Sequence, residues 1–259
     1  MADQSLFSLE NKVALVTGGS SGIGYMIAAG LAARGVKVIV AGRNPQRIND
    51  AMAGLASIGD CTGVPADVTQ PEGRAALLAA IEPIGRLDIL VNNAGAAFAA
   101  PIEQTPPERF DPILRVNLSA PFALVAAMLP LLRKGAIADD PARIINISSI
   151  DAIRIPVWES YAYGASKAAL AHLTRHLAKT LAPEGITVNA IAPGIFSSHM
   201  TRFLFDEGHP NHEKPQHVPL GRMGEPDDIV GAVTFLASRA GAYVTGILLP
   251  VSGGLATAD

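Results

Sequence analysis

Unbroken apolar runs alternate with stretches whose apolar positions recur every three or four residues, and that alternation predicts the element order. Val13-Ala14-Leu15-Val16 has the pattern of a strand buried on both faces. Residues 25–33 follow at helical spacing and Arg34-Gly35 closes them. Val36-Lys37-Val38-Ile39-Val40-Ala41 then supplies the second strand of a βαβ unit. The alternation continues with a polar helix over 46–58, a short strand over 62–65, a helix over 70–84 and a strand over 86–91. A long helix over 108–132, a strand over 142–147, a helix over 161–181, a strand over 186–191, a helix over 226–237 and a last strand over 245–251 complete the chain. Strand and helix in regular turn predict an α/β fold.

The turn after the first strand is Thr17-Gly18-Gly19-Ser20-Ser21-Gly22-Ile23-Gly24. Its glycine spacing is G-x-x-x-G-x-G, not the commoner G-x-G-x-x-G. A glycine-rich turn that opens a helix offers free backbone N–H groups and the positive end of the helix dipole to an anion. Inside a βαβ unit this predicts a dinucleotide site built by Gly18, Ser20, Ser21, Gly22, Ile23 and Gly24, on a single-domain Rossmann-type doubly wound parallel sheet with helices on both faces. At the end of the second strand stand Gly42 and Arg43, with no carboxylate before Asp50. An acidic residue there would bond the ribose hydroxyls of NAD, whereas an Arg suits the 2′-phosphate, so the expected cofactor is NADPH/NADP. Asp67, beside Val68, either caps the following helix or reaches the adenine amino group, capping being the simpler role. Asn92-Asn93-Ala94-Gly95 makes a polar turn of close approach at the carboxyl end of another strand, with Asn93, Ala94 and Gly95 as cofactor contacts.

At 259 residues and 49% hydrophobic composition the chain can bury a large core, and no linker or repeat divides it. One domain over 1–259 is expected, with a cofactor half over about 1–145 and a catalytic half over about 146–259. The net charge of −3, with no long run of either sign, argues against a nucleic-acid or anionic-membrane partner. Cys61 is the lone cysteine and no basic-then-apolar leader opens the chain, so the expected location is the cytoplasm. Residues 117–132 carry no charge, but they include Pro121 and Pro130 and fall short of the roughly 20 residues a membrane span needs.

Taken together, the motifs resemble the short-chain dehydrogenase/reductase family along essentially the whole chain. Residues 17–24 match its T-G-x-x-x-G-x-G turn, and residues 92–95 its N-N-A-G turn. Asn117, Ser149, Tyr163 and Lys167 match its catalytic positions, and Pro193-Gly194 its later cofactor loop, with Ile195 and Ser198 following. Ser198 stands where the family usually has Thr. Of the two tyrosines at 161 and 163, only Tyr163 has a Lys four residues on, which puts both on one helix face. The resemblance implies that Asn117 bends its helix and holds a water beside Lys167, that Ser149 holds the substrate oxygen, and that Tyr163 exchanges the proton. The loop before Tyr163, with Trp158, and Phe203 in a lid over 200–219 are expected to line the substrate pocket together with Ser149 and Tyr163. His209, His212 and His217 fit no zinc spacing, and no metal is expected. The resemblance also implies that the helices from about 111 and 161 build an interface between copies, so a homo-oligomer, tetramer or dimer, is expected. Wording such as Tyr161-Ala162-Tyr163-Gly164 is most similar to NADPH-dependent β-ketoacyl reductases. The expected activity is reduction of a ketone, 3-oxoacyl thioesters included; the alternatives are an oxidative secondary alcohol or polyol dehydrogenase and a catalytically silent NADP-binding regulator.

Overall fold

The structure, a computed structural model, describes residues 4–156, 158–197 and 217–257. Among them the strands β1 (Val13–Thr17), β2 (Lys37–Gly42), β3 (Cys61–Pro65), β4 (Ile89–Asn92), β5 (Ala142–Ile147), β6 (Ile186–Pro193) and β7 (Leu248–Val251) form one sheet. It runs β3-β2-β1-β4-β5-β6-β7, all neighbours parallel. The helices α1 (Gly22–Ala32), α2 (Pro45–Leu55), α3 (Pro71–Ile81), α4 (Pro107–Leu114), α5 (Ala120–Gly135), α6 (Tyr161–Leu181) and α7 (Pro226–Ala237) cover both faces.

Side chains alternate across a strand, so each central strand feeds two cores. Ala14, Val16, Val38, Val40, Ile89 and Val91 face one, with Ile27 and Leu31 of α1 and Val233 and Leu236 of α7. Val13, Leu15, Ile39 and Leu90 face the other, with Leu77 and Ile81 of α3 and Leu124, Met128 and Leu132 of α5. Each of these fully buried Val, Leu, Ile and Met side chains contributes roughly 1.5–3 kcal/mol. The helices α1 and α7 meet at Gly30, where a Cβ would stand 2.5 Å from the Val230 methyls. Strand order reverses between β1 and β4, and that switch opens a crevice at the carboxyl ends of the strands.

Several element bounds differ from the periodic pattern, each for a local reason. The strand expected from 86 starts at Ile89, because Asp88 accepts from Val13 N (2.7 Å) and Arg86 Nε (3.2 Å) through its carboxylate. The last strand starts at Leu248, after Gly246 at φ 79 has broken the extended run. Helix α3 ends at Ile81 and a separate turn, Glu82–Ile84, leads to Gly85 at φ 89. The helix expected as one piece over 108–132 is α4, a π-helical turn Arg115–Ser119, and α5. Pro121 has no N–H for the carbonyl of Asn117 four positions back, so the regular ladder fails there. The run Pro107–Gly135 is long and apolar enough to cross a membrane by length and composition. Here it lies along the sheet, with Leu124, Val125, Met128, Leu131 and Leu132 in the core.

Candidate active site

Thr17 ends β1 and joins two loops. Its Oγ1 accepts from Asn93 N and Ala94 N, both at 3.0 Å, and donates to Val91 O (3.3 Å). Asn93 reciprocates: its Nδ2 donates to Thr17 O (2.9 Å) and Gly18 O (3.2 Å). Gly24 fits under this knot because a Cβ there would lie 2.3 Å from both Gly18 O and Asn93 Nδ2. The turns after β1 and β4 are therefore one hydrogen-bonded unit. Thr17→Val keeps the shape but strands two N–H groups, and is expected to cost about 1–3 kcal/mol. Urea unfolding measures it; an unchanged midpoint would show the knot to be dispensable.

Ser21 is the N-cap of α1 but makes no side-chain capping bond, which leaves the opening N–H groups without that acceptor. They face a cavity of about 1100 Å³ lined by Gly18, Ser20, Ser21, Gly22, Ile23 and Gly24. Uncapped N–H groups at a helix N-terminus fit a pyrophosphate. The same cavity is lined at one end by Arg43, Asp67 and Val68, then by Asn93, Ala94 and Gly95, and at the other by Ser149, Tyr163, Lys167, Pro193, Gly194 and Ile195. A continuous groove from guanidinium to phenol fits a phosphorylated dinucleotide along its length.

Asp67 does not cap α3; Gln70 holds the N-cap position. Its Oδ1 instead accepts from Thr69 N (2.9 Å) and Thr69 Oγ1 (2.7 Å), folding the chain into a tight turn at the cavity wall. Burial pushes this carboxyl up, but the Thr69 bonds and the Arg43 charge together hold it below the usual range. Arg47 also lines the groove. Asn44 accepts from Arg47 N at 3.0 Å and so caps α2, which sets Arg47 one turn beyond Arg43. The signal for it was present as a cap residue, a proline and then a basic residue at the third helical position.

At the other end, Ser148 and Ser149 close β5 and diverge. Ser148 Oγ donates to Lys167 O (2.9 Å), whereas Ser149 Oγ accepts from Asp151 N (3.1 Å). Tyr163 and Lys167 sit on the first turns of α6. Lys167 is 4% exposed, donates from Nζ to Ile147 O (2.8 Å), and lies 5.6 Å from the centre of the Tyr163 ring. Burial pushes Tyr163 up to about 12; the Ser149 hydroxyl pulls it back and the Asp151 charge raises it further. Burial brings Lys167 down to about 8.

Asn117 is buried inside the π-helical turn. Both its Nδ2 donors are engaged, with Ala96 O and Ser166 Oγ at 2.9 Å each, and its Oδ1 accepts from Ala96 N at 2.9 Å. The helix departs from the regular α-helical ladder at this residue. Gly95 separates Asn117 from Lys167: a Cβ would lie 3.2 Å from Asn117 Oδ1 and 3.6 Å from Lys167 Nζ.

Trp158 lines the cavity. Ser198, Phe203, His209 and His212, with nearly all of the lid over 200–219, lie outside the described residues. Among the described residues no group of three or more His, Cys, Asp or Glu could hold a metal ion. Asp151 and Ser160, at the two ends of the loop expected to line the pocket, also line the cavity. Phe98, under the Arg109 guanidinium at 5.3 Å, lines it too and was not marked by any motif, because it belongs to irregular backbone.

A family model described as enoyl-(acyl carrier protein) reductase matches residues 18–256. The rhamnolipids biosynthesis 3-oxoacyl-[acyl-carrier-protein] reductase of Pseudomonas aeruginosa is 43% identical, covering 96% of this chain and 97% of its own. Gluconate 5-dehydrogenase of Gluconobacter oxydans is 34% identical over 98% of each chain. The solved structure of the Pseudomonas aeruginosa RhlG/NADP active-site complex superposes with a TM-score of 0.92 at 42% identity, covering 98% of this chain and 99% of that one.

Proposed function

The chain belongs to the short-chain dehydrogenase/reductase family and is an NADP-dependent oxidoreductase, and from that premise we propose that it reduces a ketone to a secondary alcohol with Tyr163 as proton donor. One observation carries this reading: a groove that begins at Arg43 ends on Ser149, Tyr163 and Lys167.

Bound NADPH supplies the hydride. The remaining work falls to the protein. Ser149 hydrogen bonds the carbonyl oxygen and holds the charge that develops there. Tyr163, kept protonated by burial, donates to that oxygen. The Lys167 ammonium stabilises the phenolate that remains, its Nζ being held at Ile147 O. Asn117 fixes the 95–97 turn against α6 through Ala96 and Ser166. The uncapped opening of α1 takes the pyrophosphate, and Arg43 with Arg47 takes the 2′-phosphate. We further place the enzyme in the cytoplasm as a homo-oligomer. Only 39% of the apolar window in the run Pro107–Gly135 is buried within one copy, and Phe122 on it is 52% exposed, which supports a covered face between copies.

The names of the relatives bracket the substrate between 3-oxoacyl chains and a sugar acid. NADPH oxidation with a 3-oxoacyl thioester, a bulky aryl ketone and a cyclic ketone tests the reading. Turnover of at least one is expected; NADPH left untouched by every ketone offered would overturn it.

A further inference from the structure

The walls of the substrate half are mostly apolar. Asn117 holds the chain at Ala96, and Ala100 N donates to Glu159 O (3.1 Å), which ties the segment between them to the loop that precedes Tyr163. Ala97, Phe98 and Ala99 stand between those two anchors and line the cavity. Ile150, Trp158 and Ile195 line it as well, and they belong to a small apolar cluster with Val218 and Leu255. Among the described residues, the charged ones in the lining are Arg43, Arg47 and Asp67 toward the cofactor end and Asp151 and Lys167 toward the phenol. Lys167 Nζ is held at Ile147 O and serves the phenol, and Asp151 has the same sign as a carboxylate substrate. A further cation stands behind the wall. Arg109, on the first turn of α4, holds its guanidinium over the Phe98 ring, 5.3 Å from its centre. Phe98 lines the cavity and Arg109 does not, so the ring separates the guanidinium from the substrate.

These walls discriminate between classes of ketone. An aryl ring or an alkyl chain gains from leaving water for apolar surface of this kind. A carboxylate loses its hydration there and needs a cation in return, and a chain of hydroxyls loses its hydrogen bonds to water. The cation that could answer a carboxylate is present but covered. Attraction between a guanidinium and the face of an aromatic ring keeps the cover in place. Removing the ring would therefore change the wall twice, by deleting apolar surface and by opening a positive charge to the cavity.

We propose that Phe98 is a specificity-determining residue which lines the substrate half and screens it from Arg109, so that the preferred substrates are neutral ketones bearing an aryl ring or an alkyl chain rather than keto acids. This rests on the reductase reading above and narrows it.

The test compares, with NADPH, acetophenone, the same ketone bearing a carboxylate at the 3 or the 4 position of its ring, and a keto sugar acid. The wild-type enzyme is expected to favour acetophenone over each acid by about tenfold or more in kcat/KM. Phe98→Ala is expected to weaken acetophenone and to improve at least one of the two aryl acids, which brings their ratio down toward one. Phe98→Leu keeps an apolar cover and is expected to keep the wild-type ratio. Arg109→Ala alone is expected to leave that ratio unchanged, whereas adding Arg109→Ala to Phe98→Ala abolishes the gain on the acid. Loss of apolar packing by itself could not produce that last result. Should Phe98→Ala fail to bind NADPH, and so be misfolded, Phe98→Ser decides in its place. A wild-type preference for any of the acids, or an acid rate that Phe98→Ala leaves unimproved, would overturn the assignment while leaving the reductase reading intact. NADPH left untouched by all of these ketones would remove the reductase reading, and this inference with it.

Discussion

Tyr163→Phe is expected to lower kcat by about 10²–10⁴-fold, the range a positioned general acid supplies, while NADPH still binds. The ring stays in place; only the proton goes. With burial raising Tyr163 to about 12, the phenol carries its proton throughout the neutral range and is ready to donate. What limits the step is the phenolate left behind, and the nearby cation is Lys167, brought down to about 8. Below that pH the ammonium is present and favours the phenolate. As pH rises through about 8 the amine becomes neutral, so the rate of reduction is expected to fall on the alkaline side. Tyr161 cannot stand in: it is 40% exposed and its hydroxyl donates to Glu159 (3.0 Å). Single-turnover measurements of NADPH oxidation across pH check both claims. A Phe variant retaining a tenth of the wild-type rate would remove Tyr163 as the acid.

The fold and the polar groups that meet at the end of the groove were readable because their signals are local. A βαβ unit announces itself through two strand runs and a glycine turn, and Tyr163 with Lys167 through a four-residue spacing on a helix. The parts that were not readable depend on contacts across the sheet. Thr17 looks like the last residue of a strand until β4 is set beside β1 and its hydroxyl meets Asn93 and Ala94. Arg143 looks like a solvated charge within a strand, yet it is 1% exposed and donates to Leu236 O, Ser238 O and Asp140. Asp67 stands where a helix cap would, but Thr69 lies nearer than the helix and takes its carboxylate. The π-helical turn was in reach of the sequence, since Pro121 removes one N–H from a helix whose periodicity is otherwise unbroken. Periodicity counts side chains and is blind to a missing donor.

Replacing Arg43 and Arg47 together by Ala is expected to weaken NADPH by roughly 10²–10⁴-fold, each single change accounting for about tenfold to a hundredfold. NADH is expected to change little, because nothing in it carries charge where the 2′-phosphate sits. Both side chains are exposed at the mouth of the groove. Exposure alone would make an ordinary ion pair here weak. A phosphate differs in bearing up to two charges and three acceptor oxygens, which two planar guanidinium groups can meet at once. The backbone already holds them in register: β2 ends at Gly42, Asn44 caps α2 by accepting from Arg47 N, and Pro45 fixes the first helical turn. Gly42 contributes by what it lacks, since a Cβ there would lie 3.1 Å from both Ser20 Oγ and Ile48 Cδ1 and crowd the passage between the two turns. Titration of each variant with both cofactors separates the possible outcomes. Equal losses for NADPH and NADH would mean that the arginines support the loop rather than read the phosphate. A loss confined to NADPH and reduced by added salt would identify the charge itself as the source of the preference, because a phosphate contact at an exposed site is screened while a structural one is not.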